Sequence, residues 1–372
     1  MNMLKDGGAG VTVAAAALIF TFACKSDDDG EVAQRAATES RDKADDEQGE
    51  AETEPEAPPR DDRLSPDERL TILDGCFAAM NEGDAETFVA CYTDDAELEI
   101  ADAVPELSSD PATVFADVHE AFSDLSIERQ LVILGGSTVA TLYLLEGTHD
   151  GPLWGIEPTE EKISVYGGQV AHLNRAGEIT RDDRYLDQAT IRAQLGDRPA
   201  ARAPRREAAW PEPVHAIGET GDPTSENFAA FNKGYFSAAQ DRDVDAMVAA
   251  YAEGAERRIV PHREPAEGRA AIRRQLQGEL RESPDTEIRM RRQWGAGDWL
   301  VVETHVRGTM ENPPEGARDG AGESWEASRL EFFEFEDASI RRHLVLSNEL
   351  GRLASLGVVD AQGADDSGSQ SP

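Results

Sequence analysis

Apolar positions recur at helical spacing from Ser65 onward, at Leu70, Leu73, Phe77 and Met80. The preceding Ser65-Pro66-Asp67-Glu68 combines a capping serine, a first-turn proline and a glutamate three residues after the cap, which predicts a helix start. Asp84 follows a polar turn and predicts the cap of a second, short helix; Asp243 does the same later in the chain. A third helix is predicted over 111 to 122, with a counterpart over 269 to 280. The pattern then changes. RQLVIL and TVATLYLLEGT, joined at Gly135-Gly136, read as two strands, and KISVYGGQVAHL with EITRDDRYLD reads as another pair turning near Arg175-Ala176-Gly177. Helices first and an antiparallel meander after them predict an α+β domain.

The whole pattern occurs twice. GCFAAMNEGDAETFVACYTDDAELEI from Gly75 aligns without a gap with GYFSAAQDRDVDAMVAAYAEGAERRI from Gly234, an offset of 159. Gly147-Thr148 and Leu195-Gly196 return as Gly308-Thr309 and Leu356-Gly357 at an offset of 161. A period this long means two complete domains rather than a solenoid of small units. The predicted division is a first domain over 64–196, a linker rich in Pro, Ala and Arg over 197–224, and a second domain over 225–360.

Composition changes the picture at the ends. Residues 25–63 hold DDDG and DDEQGEAETEPEAPP with almost no large apolar side chains, which predicts a disordered acidic tether; 361–372 reads as a disordered tail. The formal net charge of −38 argues against a nucleic-acid partner, whose phosphates need a basic surface. Arg289, Arg291 and Arg292 are a local exception, read as a solvated strand face. Residues 11–23 form an apolar run of the length of a secretory-signal core, followed by Cys24 and a polar stretch. This resembles a bacterial lipoprotein signal over 1–24, in which Cys24 would carry the lipid. It departs from one in having Thr21 and Phe22 where aliphatics are usual, so ordinary secretion and an uncleaved anchor stay open. The expected location is the bacterial cell envelope, with lipid-anchored domains outside the cytoplasm. Cys76 and Cys91 both fall on apolar helix faces, either as a disulfide or as two buried thiols.

The remaining motifs are GTHDGP at 147–152, a strand ending Tyr185-x-Asp187, and Gln194-Leu195-Gly196. In this order and spacing they resemble the SnoaL-like polyketide cyclase or ester cyclase family, of the nuclear-transport-factor-like superfamily. The resemblance covers 64–196 well and 225–358 more loosely. It implies two tandem cone-shaped domains, each a curved antiparallel sheet wrapped by N-terminal helices around a pocket open at one end. It also implies Asp187 as general acid and base, assisted by His149, with no metal or organic cofactor. Tyr143, Trp154 and Tyr185 are the expected ligand-binding side chains. The residues offer competing roles: Asp187 as cap of the final helix, His149 as a satisfied strand-end side chain, Asp182 and Asp183 as exposed strand residues, and His172 as packed or solvated. The lack of His-x-x-x-His and Cys-x-x-Cys gives no metal signature.

In the second copy Asp187 becomes Asn348 and His149 becomes Met310, neither of which exchanges protons near neutrality. That domain is expected to bind or to pack against the first, in an intramolecular pseudo-dimer. Three functions therefore compete. The first domain could perform cofactor-free acid–base chemistry on a small apolar carbonyl compound, bind a small apolar ligand without turnover, or serve a structural role in the envelope.

Overall fold

The computed structural model describes residues 64–104, 107–197, 206–218, 224–260, 264–314 and 320–359. The lipidation candidate Cys24, the acidic tether and the tail lie outside them. The helical start at Ser65 forms as its chemistry dictates. α1 (Pro66–Glu82) is closed by a capping box, with Ser65 and Glu68 each bonding the other's backbone, and ends at Gly83 in the left-handed conformation. Asp84 and Asp243 cap α2 (Ala85–Val89) and α7 (Val244–Ala249) by accepting from Thr87 and Ala246 backbone N–H groups.

Each copy is an α+β unit with a six-stranded mixed sheet. β1 (Tyr92–Ile100) is followed by α3 (Pro111–Ala121), then β2 (Ser126–Gly135), β3 (Thr138–Thr148), β4 (Lys162–Leu173), β5 (Ile179–Leu186) and α4 (Gln188–Gln194). With β6 (Val214–Ile217), the strands lie in the order β1-β5-β4-β3-β2-β6. The meander β2–β5 is antiparallel, with short turns joining β2 to β3 and β4 to β5. β1, separated from it by α3, joins β5 in parallel. β6 (Val214–Ile217) is a strand where the sequence suggested only linker; it extends the free edge of β2 in parallel.

The second copy opens with α5 (Thr224–Ala230), a π-helical turn (Phe231–Phe236), α6 (Ser237–Asp241) and α7. It continues with β7 (Tyr251–Val260), β8 (Ala266–Glu267), α8 (Gly268–Glu282), β9 (Glu287–Ala296), β10 (Trp299–Thr309), β11 (Ser324–Glu336), β12 (Ser339–Ser347) and α9 (Glu349–Ser355), in the order β8-β7-β12-β11-β10-β9. Bulges recur at matching places: Gln130 and Thr180 in the first sheet, Arg291 and Arg341 in the second. These are features of the shared fold, not local accidents.

Each sheet buries one face under its own helices and the other against its sister. The helix-side cores gather Leu73, Met80, Phe115 and Tyr143 in the first copy and Phe231, Tyr251, Ile272 and Phe333 in the second. A third core joins the copies, with Leu131, Leu142, Leu144, Tyr166 and Tyr185 packed with Trp299, Val301, Leu330, Phe332 and Leu346. Polar groups reinforce it. Tyr185 Oη donates to Glu303 at 2.7 Å, and Arg292 pairs with Glu303, Asp183 and His172. Arg289 and Arg291 are exposed as expected, but Arg292 is half-buried in this contact. At the helix ends the copies exchange caps: Asp187 Oδ1 accepts from Glu349 N at 2.8 Å, and Asn348 Oδ1 accepts from Gln188 N at 3.2 Å.

Candidate functional site

A cavity of about 290 Å³ opens between α1, α3 and the concave face of the first sheet. Its walls are mostly apolar, including Phe77, Met80, Phe88, Val118 and Leu145. Cys76 is part of the wall and is disulfide-bonded to Cys91, so α1 is tied to the start of β1. Trp154 closes one side, held in a left-handed backbone conformation (φ 49°) that is unfavourable for a bulky residue. Tyr143 lies flat against the sheet because Gly167 faces it; a Cβ there would come within 2.5 Å of the ring.

The floor is polar. Tyr92, Gln169 and Arg184 reach the cavity from β1, β4 and β5, and all three converge on Asp182 behind them. Asp182 Oδ2 accepts from Tyr92 Oη at 2.7 Å, Gln169 Nε2 at 3.0 Å, and Arg184 Nε and Nη2 at 3.1 and 3.0 Å. The second carboxylate oxygen has no hydrogen-bond partner among the described residues. Burial pushes the Tyr92 phenol far above its ordinary range, with the Asp182 charge adding to the shift, and pushes the Tyr143 phenol up to about 12. Both remain protonated donors. Burial works against the Arg184 charge, but Asp182 and the phenols more than offset it, so the guanidinium stays charged. The site can receive an oxygen acceptor at the end of an apolar chamber, with a cation and neutral phenols to hold it.

Asp182 and Asp183 are therefore not exposed strand residues, as the alternation suggested; they are 0% and 5% exposed. The bulge at Thr180 explains why. Ile179 faces the cavity, the extra residue shifts the alternation by one, and Arg184 and Leu186 then line the cavity with Asp182 behind them on the same side of the sheet. Tyr185, one step out of phase, faces the second copy instead of the cavity. Of the expected ligand-binding residues, Tyr143 and Trp154 line the cavity and Tyr185 does not.

Asp187 and His149 also stand away from its lining. Asp187 precedes α4, and its carboxylate accepts from Thr190 Oγ1 at 2.6 Å and from the backbone of α9. His149 is buried at the end of β3, its ring against Phe122. Thr159 N donates to Nδ1 at 3.2 Å, so the proton sits on Nε2, which has no partner among the described residues. Burial pushes this imidazole below its ordinary value, keeping it neutral. The turn around it docks on α3: Gly151 N donates to Ala121 O, and a Cβ at Gly151 would lie 1.8 Å from Glu120 O. His149 N donates to Glu161 O and its carbonyl accepts from Glu160 N; Met310 is paired in the same way, donating to Glu323 O and accepting from Gly322 N.

The sequence offered one unused signal for the floor: Asp182 and Arg184, two apart on a strand, share a face whatever the register. Tyr92 and Gln169 carry no such mark. Among the described residues no group of His, Cys, Asp and Glu could hold a metal ion.

Two family models match the chain. A SnoaL-like polyketide cyclase model matches residues 71–195, and a SnoaL-like domain model matches 233–343. Similar solved structures include a Jannaschia sp. CCS1 protein assigned as a SnoaL-like polyketide cyclase (16% identical, 38% of this chain and 100% of that one, TM-score 0.35). Another, from Xanthomonas campestris pv. campestris, is assigned as a polyketide cyclase (24%, 36% and 99%, TM-score 0.32). A third is a phenazine biosynthesis-related protein from Pseudomonas aeruginosa (17%, 36% and 86%, TM-score 0.31). Among curated proteins none matches the chain. The two family matches fall on the two sheet-and-helix copies, and the chain belongs to the SnoaL-like family, with two such domains in tandem.

Proposed function

We propose that the first domain binds a small, mainly apolar molecule with its oxygen at the Arg184–Tyr143 end of the cavity. The observation that carries this reading is the buried Tyr92–Gln169–Asp182–Arg184 cluster at the end of an apolar chamber. A buried charge pair in that place costs desolvation, and a ligand oxygen uses the donors it presents.

Cofactor-free acid–base chemistry on a carbonyl compound is the catalytic form of the same reading. Arg184 and Tyr143 would polarise the carbonyl, and Asp182, held by the floor donors through Oδ2 alone, would be the candidate base. Asp187 and His149, the pair implied by family resemblance, stay in the test as rivals. Binding is read by quenching of tryptophan fluorescence with a naphthyl ketone, and turnover by deuterium exchange next to its carbonyl. Arg184→Met and Tyr143→Phe should weaken binding about tenfold each, whereas Asp187→Asn should leave it within twofold. Loss of binding in Asp187→Asn alone would return the site to the other end of β5.

The second domain serves as a built-in partner in a pseudo-dimer, a reading supported by the shared core and the exchanged caps at Asp187 and Asn348. Export to the cell envelope with a lipid on Cys24 is supported by the apolar run before that cysteine and by the Cys76–Cys91 disulfide, which suits an oxidising compartment. Mass spectrometry of the mature N-terminus tests it; an unmodified Cys24 in membrane fractions speaks against the lipid.

A further inference from the structure

The second domain lacks His149 and Asp187 but keeps an ionisable floor at the matching register positions. Tyr92 and Asp182 correspond to Tyr251 and His343: β1 pairs Tyr92 with Ile179 as β7 pairs Tyr251 with Ile340, and Leu98 with Asp182 as Arg257 with His343. Gln169 lies opposite Thr141 as Glu331 lies opposite Val302, and Tyr143 opposite Arg129 as Thr304 opposite Met290. The four second-domain residues form one network. Tyr251 Oη lies 2.7 Å from His343 Nδ1, His343 Nε2 lies 2.9 Å from Glu331 Oε2, and Thr304 Oγ1 donates to Glu331 Oε1 at 2.7 Å.

Here the chemistry differs from the first domain. Asp182 faces a guanidinium, whereas Glu331, 6% exposed, has two partners that are neutral when the imidazole is unprotonated. Burial brings the His343 imidazole down to about 4. Burial alone would raise Glu331, but the hydrogen bond from His343 carries it below the usual carboxylate range. A carboxylate accepts only, so Nε2–H donates to Glu331 and Tyr251 donates to Nδ1. The arginines nearby are mostly committed: Arg257 to Glu279 at 2.7 Å and Arg352 to Glu349 at 2.5 Å. Arg329, half-buried and lining the same cavity, attracts Glu331 without a hydrogen bond to it among the described residues.

Glu331 lines a cavity of about 90 Å³, roughly three waters' share of liquid at about 30 Å³ each. The π-helical turn brings Phe231, Tyr235 and Phe236 to this cavity, and Phe333 faces them, with ring centroids 4.9 Å from Phe231 and 5.5 Å from Tyr235. Buried anions need a cation, and aromatic faces attract one. We propose that the second domain holds its own site for a small organic cation, a primary or methylated amine, with Glu331 as counter-ion and Phe231, Tyr235 and Phe333 as walls. This does not depend on what the first domain binds.

The test titrates the full chain with trimethylammonium, tert-butanol and acetate at pH 7, following His343 and Trp325 resonances by NMR. The cation should bind at least tenfold tighter than tert-butanol, acetate should not bind, and Glu331→Gln should weaken the cation tenfold without changing tert-butanol. Equal binding of cation and alcohol, preference for acetate, or an unaffected Glu331→Gln each overturn the proposal. If Glu331→Gln fails to fold, the wild-type selectivity decides. A doubly protonated His343 at pH 7 in the free chain also overturns it, because Glu331 would then already have its cation.

Discussion

Replacing Asp182 tests how the first domain's floor is held. The residue is fully buried, and its Oδ2 takes hydrogen bonds from Tyr92, Gln169 and twice from Arg184. Asp182→Ala would strand a guanidinium in a low-dielectric site together with two neutral donors. Breaking a buried pair from one side costs about 3–5 kcal/mol. Asp182→Asn keeps the volume and an acceptor but not the charge, so its loss should be about 1.5–3 kcal/mol, the worth of hydrogen bonds to a charged group. Removing both charges in Asp182→Leu/Arg184→Leu should recover most of the loss, since apolar replacements of buried pairs are often neutral or stabilising. Urea unfolding followed by circular dichroism reads each variant as a shift in midpoint at constant slope. A loss below about 1 kcal/mol in Asp182→Ala, or a double variant worse than the sum of its singles, would refute the description of a buried, mutually dependent pair.

Other outcomes follow from the same geometry. Cys76→Ser/Cys91→Ser should cost about 3 kcal/mol for a loop of this length, and reducing agent should reproduce the loss in wild type only. His149→Met should be neutral or stabilising because it removes an unpartnered buried nitrogen and copies Met310; loss of naphthyl ketone turnover in that variant would instead reinstate His149 as a catalyst. Gly151→Ala should unfold the turn against α3 and lower the soluble yield, because its Cβ would overlap a backbone carbonyl. The chain should lose stability on acidification through His343, whose folded value of about 4 lies below the ordinary 6.5. The unfolded state takes up a proton that the folded state refuses, so this stability is complete above about pH 6.5 and is lost as pH falls toward 4. At about 1.4 kcal/mol per unit the loss is of order 3 kcal/mol, and a pH-independent midpoint across that window would contradict it.

Much of the architecture was legible in the chain. Caps, helical periods and glycine turns act over a few residues, so Ser65, Asp84 and Asp243 mark real helix starts and Gly135-Gly136 a real hairpin. The two-copy organisation needed only self-comparison, and the family resemblance followed from motif order. β6 was not legible, because its pairing depends on the free edge of β2, which lies some 80 residues away in sequence.

The site itself was decided by tertiary structure. Period-two alternation would place Ile179, Tyr185 and Asp187 on one face, but a single extra residue at Thr180 reverses the assignment for the rest of β5. Tyr185 thereby leaves the cavity for the contact with Glu303, while Asp182 and Arg184 take its place. The second domain shows the same limit: the counterparts of His149 and Asp187 suggested a lost chemistry, whereas Asp182 returns as His343 at the same offset of 161 and Gln169 as Glu331 by strand register. Local chemistry along the chain determined which elements form and that they form twice. Which side chains meet at the end of a cavity depended on bulges and long-range pairing, because burial and hydrogen-bond partners are properties of the packed sheet and not of any segment alone.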